Sequence, residues 1–416
     1  MHFPRFSPNW PQRRGSRRPA RLSGRRLTWR VIGQAAVGAA VLAAAGTQLA
    51  GCAPRGAPHA TKLNPASVVI ADSSLTAVAV VSPDSAWAVG DTTGYTGIIA
   101  RWNGKVWQRV TAPAGVLGLT SVSASSPADA WAVGYDSGGA ELALHWDGTT
   151  WRRVRVPMAA GDLNGVTDIS PTDTWAVGET GSGDAEALHW NGKAWQQVSL
   201  PASTRGGSLF GVTALSAGNA WAVGRTSGDT SLILHWNGRA WQQVPCAGSG
   251  CTGNSYLASA AAVSPSDIWA VGGKSSGQGT LIAHWNGAAW QQVPSPEPKG
   301  GGALNGVSAG SASDVWAVGG TTARNALIEH WDGKSWKLVP SDTQQAASEE
   351  ALPVGSPLYQ VAVSVPATAH DSAHASGPGD SARAVGTATG AVWAVGAAQA
   401  DTDPVILKWD GRAWEK

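Results

Sequence analysis

Short apolar segments separated by turn residues recur along most of the chain. In residues 119–157 four such segments, at 119–122, 130–133, 142–146 and 151–156, are separated by strings of Gly, Ser, Asp and Pro. Apolar runs of this length bounded by turn residues are typical of β-strands. No stretch carries a sustained helical period. The pattern therefore predicts units of four antiparallel strands, each about 45 residues long, as in the blade of a β-propeller.

Tryptophan marks the same three positions in every repeat, and these positions account for 21 of the 23 Trp. The string WAVG occurs seven times and begins at Trp87, Trp131, Trp175, Trp221, Trp269, Trp316 and Trp393. About 15 residues later comes a second Trp, followed at once by Asn-Gly or Asp-Gly, at Trp102, Trp146, Trp190, Trp236, Trp285, Trp331 and Trp409. A third Trp lies five residues further on, at Trp107, Trp151, Trp195, Trp241, Trp290, Trp336 and Trp414.

The residue types predict how the units pack. A blade lies between two others, so strands such as Ala-Trp-Ala-Val-Gly are expected to be buried on both faces, with the tryptophans filling the wide outer part of each gap. The WAVG tryptophans are thus assigned a structural role. The Gly that ends WAVG predicts a close backbone approach or a bulge. The Asn-Gly and Asp-Gly pairs predict two-residue type I′ hairpin turns.

The predicted fold class is all-β, a seven-bladed β-propeller with four antiparallel strands per blade. Because the last copy stops at Lys416, we expect residues 67–71 to complete the last blade and close the ring. The propeller is expected to span 67–416, with blades near 75–113, 119–157, 163–201, 209–245, 257–294, 304–340 and 358–416.

The WAVG strand followed by a D/N-G-x-x-W hairpin resembles the Asp-box (BNR-like) propellers, which include sialidase-type enzymes and the photosystem II assembly factors. The resemblance covers roughly residues 75–416. It departs in one spacing, because Asp147 precedes Trp151 by four residues rather than five. Kelch propellers are the next comparison. The resemblance implies the fold rather than one function, since propellers host many functions.

The formal net charge of +2 is misleading, because residues 1–52 hold nine Arg and no acid. Without them, 21 basic residues face 28 acidic ones, a net charge of −7. A mildly acidic domain argues against nucleic acid as a partner. The Arg-rich start followed by the small and apolar run 31–50 is typical of an export signal.

A lipid anchor is expected at the end of this leader. Residues 49–52 read Leu-Ala-Gly-Cys, which resembles the lipobox of bacterial lipoproteins, with Cys52 as the lipidated residue, 1–51 as the signal peptide and 52–66 as a tether. The alternative is a transmembrane anchor, since the apolar run is near spanning length. Arg25-Arg26 resembles a twin-arginine signal, so both export routes stay open. The predicted location is the outer face of the bacterial cytoplasmic membrane.

Candidate ligands for a metal are few, and no cofactor is expected. Cys246 and Cys251, in an exported chain, suggest a disulfide that closes a small loop. His370, Asp371 and His374 lie in an Ala/Ser/Gly-rich insertion, 366–390, that is expected to be a surface loop rather than a metal site.

A histidine precedes the second Trp in five copies, at His145, His189, His235, His284 and His330, with Arg101 and Lys408 in the other two. One His per blade is too dispersed for a shared metal. A repeated structural hydrogen bond is expected instead, to turn backbone or to the residue two before WAVG, namely Asp129, Asp173, Asn219, Asp267 and Asp314.

No residue stands out as catalytic, so the expected function is non-enzymatic: a membrane-anchored protein-binding or scaffolding module, monomeric, with an unknown protein or glycan ligand. The alternative is a glycan-binding or sialidase-like hydrolytic propeller, which requires acids and Arg at the ring centre. The loops after WAVG vary most between copies and are the expected binding face. Their candidate residues are Asp91, Tyr95, Tyr135, Asp136, Glu179, Asp184, Arg225, Asp229, Lys274, Gln278, Arg324 and Asn325.

Overall fold

The computed structural model describes residues 73–92, 94–157, 160–277, 279–340, 357–363, 391–397, 404–411 and 414–415. These residues form seven antiparallel sheets, which are the seven blades of a β-propeller, as the sequence predicts. Within this described part, no helix has the length and hydropathy needed to span a membrane. The leader, Cys52, the tether, the expected closing strand 67–71, Gln278 and the insertion 366–390 lie outside the described residues.

Each blade contributes four strands in chain order from the centre of the ring outward. The inner strands are β1 Ser73–Ser82, β5 Val116–Ser126, β9 Gly161–Ser170, β13 Ser208–Ser216, β18 Ser255–Ser264, β22 Gly302–Ser311 and β26 Leu358–Val363. The second strands are β2 Ser85–Thr92, β6 Asp129–Asp136, β10 Asp173–Thr180, β14 Asn219–Arg225, β19 Asp267–Lys274, β23 Asp314–Thr321 and β27 Val392–Ala397.

The third strands are β3 Gly97–Trp102, β7 Glu141–Trp146, β11 Ala185–Trp190, β15 Ser231–Trp236, β20 Thr280–Trp285, β24 Ala326–Trp331 and β28 Pro404–Trp409. The outer strands are β4 Trp107–Val110, β8 Trp151–Val154, β12 Trp195–Val198, β16 Trp241–Gln243, β21 Trp290–Gln292, β25 Trp336–Leu338 and β29 Trp414–Glu415.

Strand direction gives the ring two different faces. One face, called the loop face here, carries the turns between second and third strands together with the connections between blades. The other, called the hairpin face, carries the turns between first and second strands and the Asn-Gly or Asp-Gly hairpins. Variable and invariant parts of the repeat therefore lie on opposite faces.

Neighbouring inner strands are joined by side-chain hydrogen bonds. The Thr76 hydroxyl donates to the Leu119 carbonyl at 2.7 Å, and the Thr120 hydroxyl donates to the Leu163 carbonyl at 2.6 Å. The Asn164 amide continues the series to the Leu209 carbonyl at 2.9 Å. Each bond satisfies the carbonyl of a bulged inner strand that its own blade leaves free.

The core lies in the gaps between blades, with one hydrophobic cluster for each gap. Each WAVG tryptophan packs against the second and third tryptophans of a neighbouring blade; Trp87, for example, is 4.9 Å from Trp146 and 5.1 Å from Trp151, measured between ring centroids. Edge-to-face contacts of this kind are favourable beyond the area that they bury. The predicted packing role of the tryptophans is confirmed.

The Gly that ends WAVG is required because the backbone of the inner strand approaches it closely, as predicted. A Cβ on Gly178 would lie 1.9 Å from the Asp162 carbonyl oxygen. The inner strand shifts register beside Val177 and Gly178, so a bulge accompanies the contact. All seven copies show the same clash.

The prediction of type I′ turns is wrong. A type I′ turn needs positive φ at both central residues. Gly104 has a φ of +87°, whereas Asn103 is not among the residues with positive φ. Trp102 and Trp107 instead pair across a four-residue loop, and the Asn103 carboxamide oxygen accepts the N–H groups of Lys105 and Val106. An Asn or Asp side chain that binds the following backbone replaces the expected turn.

The ring closes by packing of the seventh blade on the first. Trp393 lies 4.9 Å from Trp102 and 5.4 Å from Trp107, and inner strand β1 contacts β26. Blade 5 departs from the four-strand pattern, because β17 (Cys246–Ala247) adds in parallel to its outer strand. The Cys246–Cys251 disulfide and a short helix α1 (Ser249–Thr252) follow β17 directly.

Candidate functional site

Six turns on the loop face share one backbone design. In each turn the fourth residue donates its N–H to the carbonyl of the first, as in Tyr95 to Thr92 at 2.8 Å and Gly183 to Thr180 at 2.8 Å. The first residue also donates its N–H to the carbonyl that opens the third strand, as in Thr92 to Thr96 at 2.9 Å. These paired bonds are typical of hairpin loops that end in a residue with left-handed backbone.

The residue in the left-handed conformation differs from blade to blade. Blades 2, 3 and 5 place Gly139, Gly183 and Gly277 there, which is the residue type that this conformation favours. Blades 1, 4 and 6 instead place Tyr95, Asp229 and Arg324 there, with φ values of +55°, +55° and +64°. Asp visits this region fairly readily, but Tyr and Arg do so at a cost of about 1 kcal/mol or more.

Packing does not explain these exceptions. Tyr95 is 71% exposed, and Arg324 is also exposed and makes no ion pair within the described part of the chain. Asp229 is exposed as well, with a long 3.4 Å contact to Arg225. Since strained positions tend to mark functional sites, the three side chains are the best-supported part of the candidate face.

In five of the six turns the side chain of the first residue holds the loop in place. In blades 1, 3, 4 and 6 a Thr hydroxyl accepts the N–H four residues later, for example Thr92 from Thr96 at 3.2 Å. In blade 2 the Asp136 carboxylate does so for Ala140 at 2.9 Å. This backbone bond and the Arg153 guanidinium hold the pKa of Asp136 below its usual value. Sequence reasoning missed this role, although a Thr or Asp five residues after the WAVG tryptophan signals it.

Several other predicted face residues hold neighbouring segments in place. Asp136 pairs with Arg153 at 2.8 Å. Asp184 accepts the Gly206 N–H at 2.8 Å, and Glu179 accepts the Ser208 hydroxyl. Arg225 lies over the Phe210 ring at 6.0 Å. These side chains support the loop face rather than project from it.

The remaining candidates lie at the rim of the same loops. Asp91 and Tyr135 are the last but one residues of second strands β2 and β6 and are half-buried. A Cβ on Gly118 would meet the Tyr135 hydroxyl at 2.6 Å. Lys274 and Asn325 occupy the turns of blades 5 and 6 and are also half-buried. The structure thus brings the described candidates to one face, distributed around the ring.

The hairpin face carries the predicted histidine bonds. His145 and His189 bond to Asp129 and Asp173 at 2.7 Å. The corresponding distances are 3.0 Å from His235 to Asn219 and 2.8 Å for both His284–Asp267 and His330–Asp314. The structural interpretation of these histidines is confirmed.

The two copies without His use a cation in a different way. Arg101 lies over the Trp87 ring at 5.2 Å, and Lys408 lies over the Trp393 ring at 5.4 Å. The position of the acidic partner is then occupied by Ser85 or Ala391. His or a cation stacks on the WAVG tryptophan in every blade, and an Asp or Asn partner is present only in the five blades that have His.

The described inner strands carry two charged side chains, Asp162 and Asp168, and no Arg. The Asp168 carboxylate accepts the Ser125 N–H and the Thr174 hydroxyl, each at 2.9 Å. Burial and the nearby charge of Asp129 raise the pKa of Asp168 to about 7. Burial also acts against ionisation of Asp129, but hydrogen bonds from His145 and Ser125 outweigh it and lower the pKa. Within the described residues, no three His, Cys, Asp or Glu side chains group as metal ligands.

Fold and site together define a seven-bladed β-propeller with a variable loop face. No family model and no curated protein matches the sequence. Among solved structures, YCF48 from Cyanidioschyzon merolae is similar with a TM-score of 0.51 and 18% identity, over 82% of this chain and 96% of that one. This similarity agrees with the resemblance to photosystem II assembly factors at the level of the fold.

Two further solved structures match the chain. The GH74 xyloglucanase from Xanthomonas campestris gives a TM-score of 0.53 at 17% identity, over 82% of this chain and 55% of that enzyme, and at this identity the similarity concerns the fold alone. The fucose-specific lectin from Aleuria aurantia gives a TM-score of 0.46 at 12% identity, over 64% of this chain and 95% of the lectin.

Proposed function

We propose that this protein is a non-enzymatic propeller that binds another protein through its loop face, and that it is anchored by a lipid on Cys52 at the outer face of the bacterial cytoplasmic membrane. The observation that carries the proposal is the left-handed position of the turns. One rigid turn design is repeated in six blades, yet Tyr95, Asp229 and Arg324 replace Gly with side chains that project into solvent.

The distribution of these three residues favours a folded partner. They lie in blades 1, 4 and 6, so they surround the ring instead of converging on one pocket. They include one aromatic, one acidic and one basic side chain. Aromatic and Arg side chains are enriched at the energetic centres of protein interfaces. A ligand that contacts all three must therefore extend across the face, as a protein surface does.

The test is in-cell cross-linking of the full, tagged chain followed by purification from membranes. The Arg324→Gly and Tyr95→Gly variants are expected to lose a partner that the wild type captures in stoichiometric amount. The matched control is Arg239→Gly, which removes an exposed Arg from the hairpin face and should leave capture unchanged. Equal capture by wild type and the Arg324→Gly and Tyr95→Gly variants would contradict the proposal.

A glycan array probed with the same chain examines the alternative of a glycan-binding propeller. Selective glycan binding that is lost in Tyr95→Gly, without any protein cross-link, would show that the loop face binds a sugar rather than a protein. The cross-linking and the array thus distinguish the two ligand classes on the same residues.

A further inference from the structure

Two buried positions of the repeat hold an acid where every other copy holds an aliphatic residue. Opposite the Gly of WAVG, the third strands carry Ile98, Leu142, Glu186, Leu232, Leu281, Leu327 and Val405. Opposite the Ala of WAVG they carry Ala100, Leu144, Leu188, Leu234, Ala283, Glu329 and Leu407. The aliphatic members of both sets are buried, so Glu186 and Glu329 are exceptions within a packed core.

Glu186 lies in the gap between blades 2 and 3. Its neighbour two residues along the strand, Leu188, packs against Trp131 and Ala143 of blade 2, so this side of β11 faces that blade. From blade 2, Glu141 enters the same gap. The two residues are 1% and 5% exposed. Their carboxyl groups are within hydrogen-bonding reach of each other, which requires that at least one of them be protonated.

The charges around this pair have the same sign. The charge of Glu179 on β10 raises the pKa of Glu186, and the charge of Asp162 on β9 raises the pKa of Glu141. The outer strand β12 contributes no titratable side chain. Burial raises the pKa of Glu186 to about 9, and the adjacent Glu141 carboxyl adds to the shift. Burial likewise raises the pKa of Glu141.

Glu329 repeats this situation in the gap between blades 5 and 6. Its side chain is fully buried, and it makes no ion pair within the described part of the chain. Its polar neighbours are Glu297 and Ser295 in the connection from blade 5. Lys337 on the adjacent outer strand pairs with Asp332 instead. Burial, with the charge of Glu297, raises the pKa of Glu329 to about 8.

We propose that these two gaps are proton-binding sites, where a glutamic acid is neutral in the folded ring and its ionisation loosens the packing of blade 2 on blade 3 and of blade 5 on blade 6. A neutral carboxyl takes the place of a leucine in the core at moderate cost. An ionised carboxylate without a cationic partner does not fit there, because desolvation of the charge opposes packing. The ring therefore binds protons as it folds.

The direction of the pH effect follows from the raised pKa values. The stability due to the bound protons is fully present below about pH 4, where the unfolded carboxyls are also protonated. It is lost as the pH rises through about 8 for Glu329 and about 9 for Glu186. The propeller should accordingly be more stable in mild acid than at pH 8 to 9.

The experiment compares the full wild-type chain with the variants Glu186→Leu and Glu329→Leu, which restore the residue type of the other blades. The thermal midpoint of each variant should equal that of the wild type near pH 4 and exceed it by several degrees, about 3 °C or more, at pH 8. Glu186→Gln, which keeps the size of the side chain, should give the same trend. An offset that does not change with pH, or lower midpoints for all three variants at pH 8, would overturn the proposal.

A second measurement counts protons instead of comparing thermal midpoints. Denaturation at pH 7 in weakly buffered solution, followed with a pH indicator, should release about one proton more from the wild type than from Glu186→Leu or from Glu329→Leu, because the unfolded carboxyls ionise and the release from all other groups, Asp168 included, cancels in the difference. Equal proton release by the wild type and the variants, or stabilisation at pH 8 by added Ca²⁺ or Mg²⁺ in the wild type but not in Glu186→Leu, would show that the carboxylates are solvated or cation-bound and would overturn the proposal.

Discussion

Replacing the left-handed turn residues Tyr95 and Arg324 by glycine should stabilise this protein, whereas a substitution by glycine is usually destabilising. Arg324 and Tyr95 have φ values of +64° and +55°, and within the described part of the chain neither side chain makes an ion pair that compensates for this conformation. Relief of the left-handed conformation is worth about 1 to 2 kcal/mol for residues of these types. About 0.4 to 1 kcal/mol of this gain is lost again, because glycine gives the unfolded chain greater conformational freedom.

The expected net gain is about 0.5 kcal/mol for each substitution and about 1 kcal/mol for Tyr95→Gly combined with Arg324→Gly, because the two blades are not neighbours. For a domain of this size that corresponds to a rise in the thermal midpoint of roughly 1 to 3 °C. The assay is thermal unfolding followed by tryptophan fluorescence, since the tryptophans report the gaps between blades.

The reverse substitution tests the same reasoning. Gly183 has a φ of +81°, and a Cβ there would meet nothing within 4 Å, so Gly183→Ala isolates the backbone term. It should destabilise the protein by about 1 kcal/mol. Arg239→Gly, at a position without positive φ, is expected to be neutral or destabilising. If Arg324→Gly lowers the midpoint as Arg239→Gly does, the turns are not strained and the main argument for the loop face fails.

Three other predictions test the fold. Gly178→Ala should cost about 3 kcal/mol or more in chemical denaturation, because the added Cβ would lie 1.9 Å from the Asp162 carbonyl oxygen; a cost no larger than that of Gly183→Ala would refute the close approach. Asp168→Asn should leave the thermal midpoint unchanged near pH 4 and raise it at pH 8, because the raised pKa of about 7 means that stability is lost as the pH rises through 7; an offset independent of pH would contradict this. Replacing Cys246 and Cys251 together by Ser should cost about 2 kcal/mol and speed hydrogen exchange in β17 but not in blade 2, whereas uniform exchange would show that the disulfide stabilises the whole ring.

The spacing of the tryptophans made the blades predictable. WAVG and the two later tryptophans define the register of three strands, and burial of AWAVG on both faces follows from a sheet that lies between two others. The histidine bonds were predictable because a His and an Asp or Asn recur 16 or 17 residues apart in five of the seven copies. Repetition supplies what a single sequence otherwise lacks, since each position is observed seven times.

Turn geometry was less predictable, because it depends on pairing outside the turn. Asn103-Gly104 favours a two-residue hairpin when considered alone, but Trp102 pairs with Trp107, and this register requires four loop residues. The Thr that holds four of the six loop-face turns was overlooked for a related reason. Thr92 is one polar residue in a polar loop, and its role depends on the N–H of Thr96, which the backbone brings within 3.2 Å.

The buried acids show a different limit. Glu186 and Glu329 lie in strands whose apolar character is clear, and a polar residue in a short strand suggests an exposed edge. Their burial emerges only when the seven third strands are aligned by register with WAVG, which places both in aliphatic positions. That alignment was available from the sequence, but the direction in which each side chain points required the structure.

Departures from the repeat are informative in this protein because the repeat itself accounts for the packing. Where a copy keeps the shared residue, the side chain fills a gap or holds a turn, and stability explains it. Tyr95, Arg324, Glu186 and Glu329 depart from the shared residue at positions where the departure costs stability. The first two are exposed on the loop face, and the last two are enclosed between blades.

A partner that binds the loop face contacts turns joined directly to the third strands that carry the acids, so binding and proton uptake are expected to be linked if those strands move. Partner affinity measured at pH 5.5 and pH 8 should then differ in the wild type and not in Glu186→Leu combined with Glu329→Leu, and an equal difference in both would show that the turns and the gaps act independently.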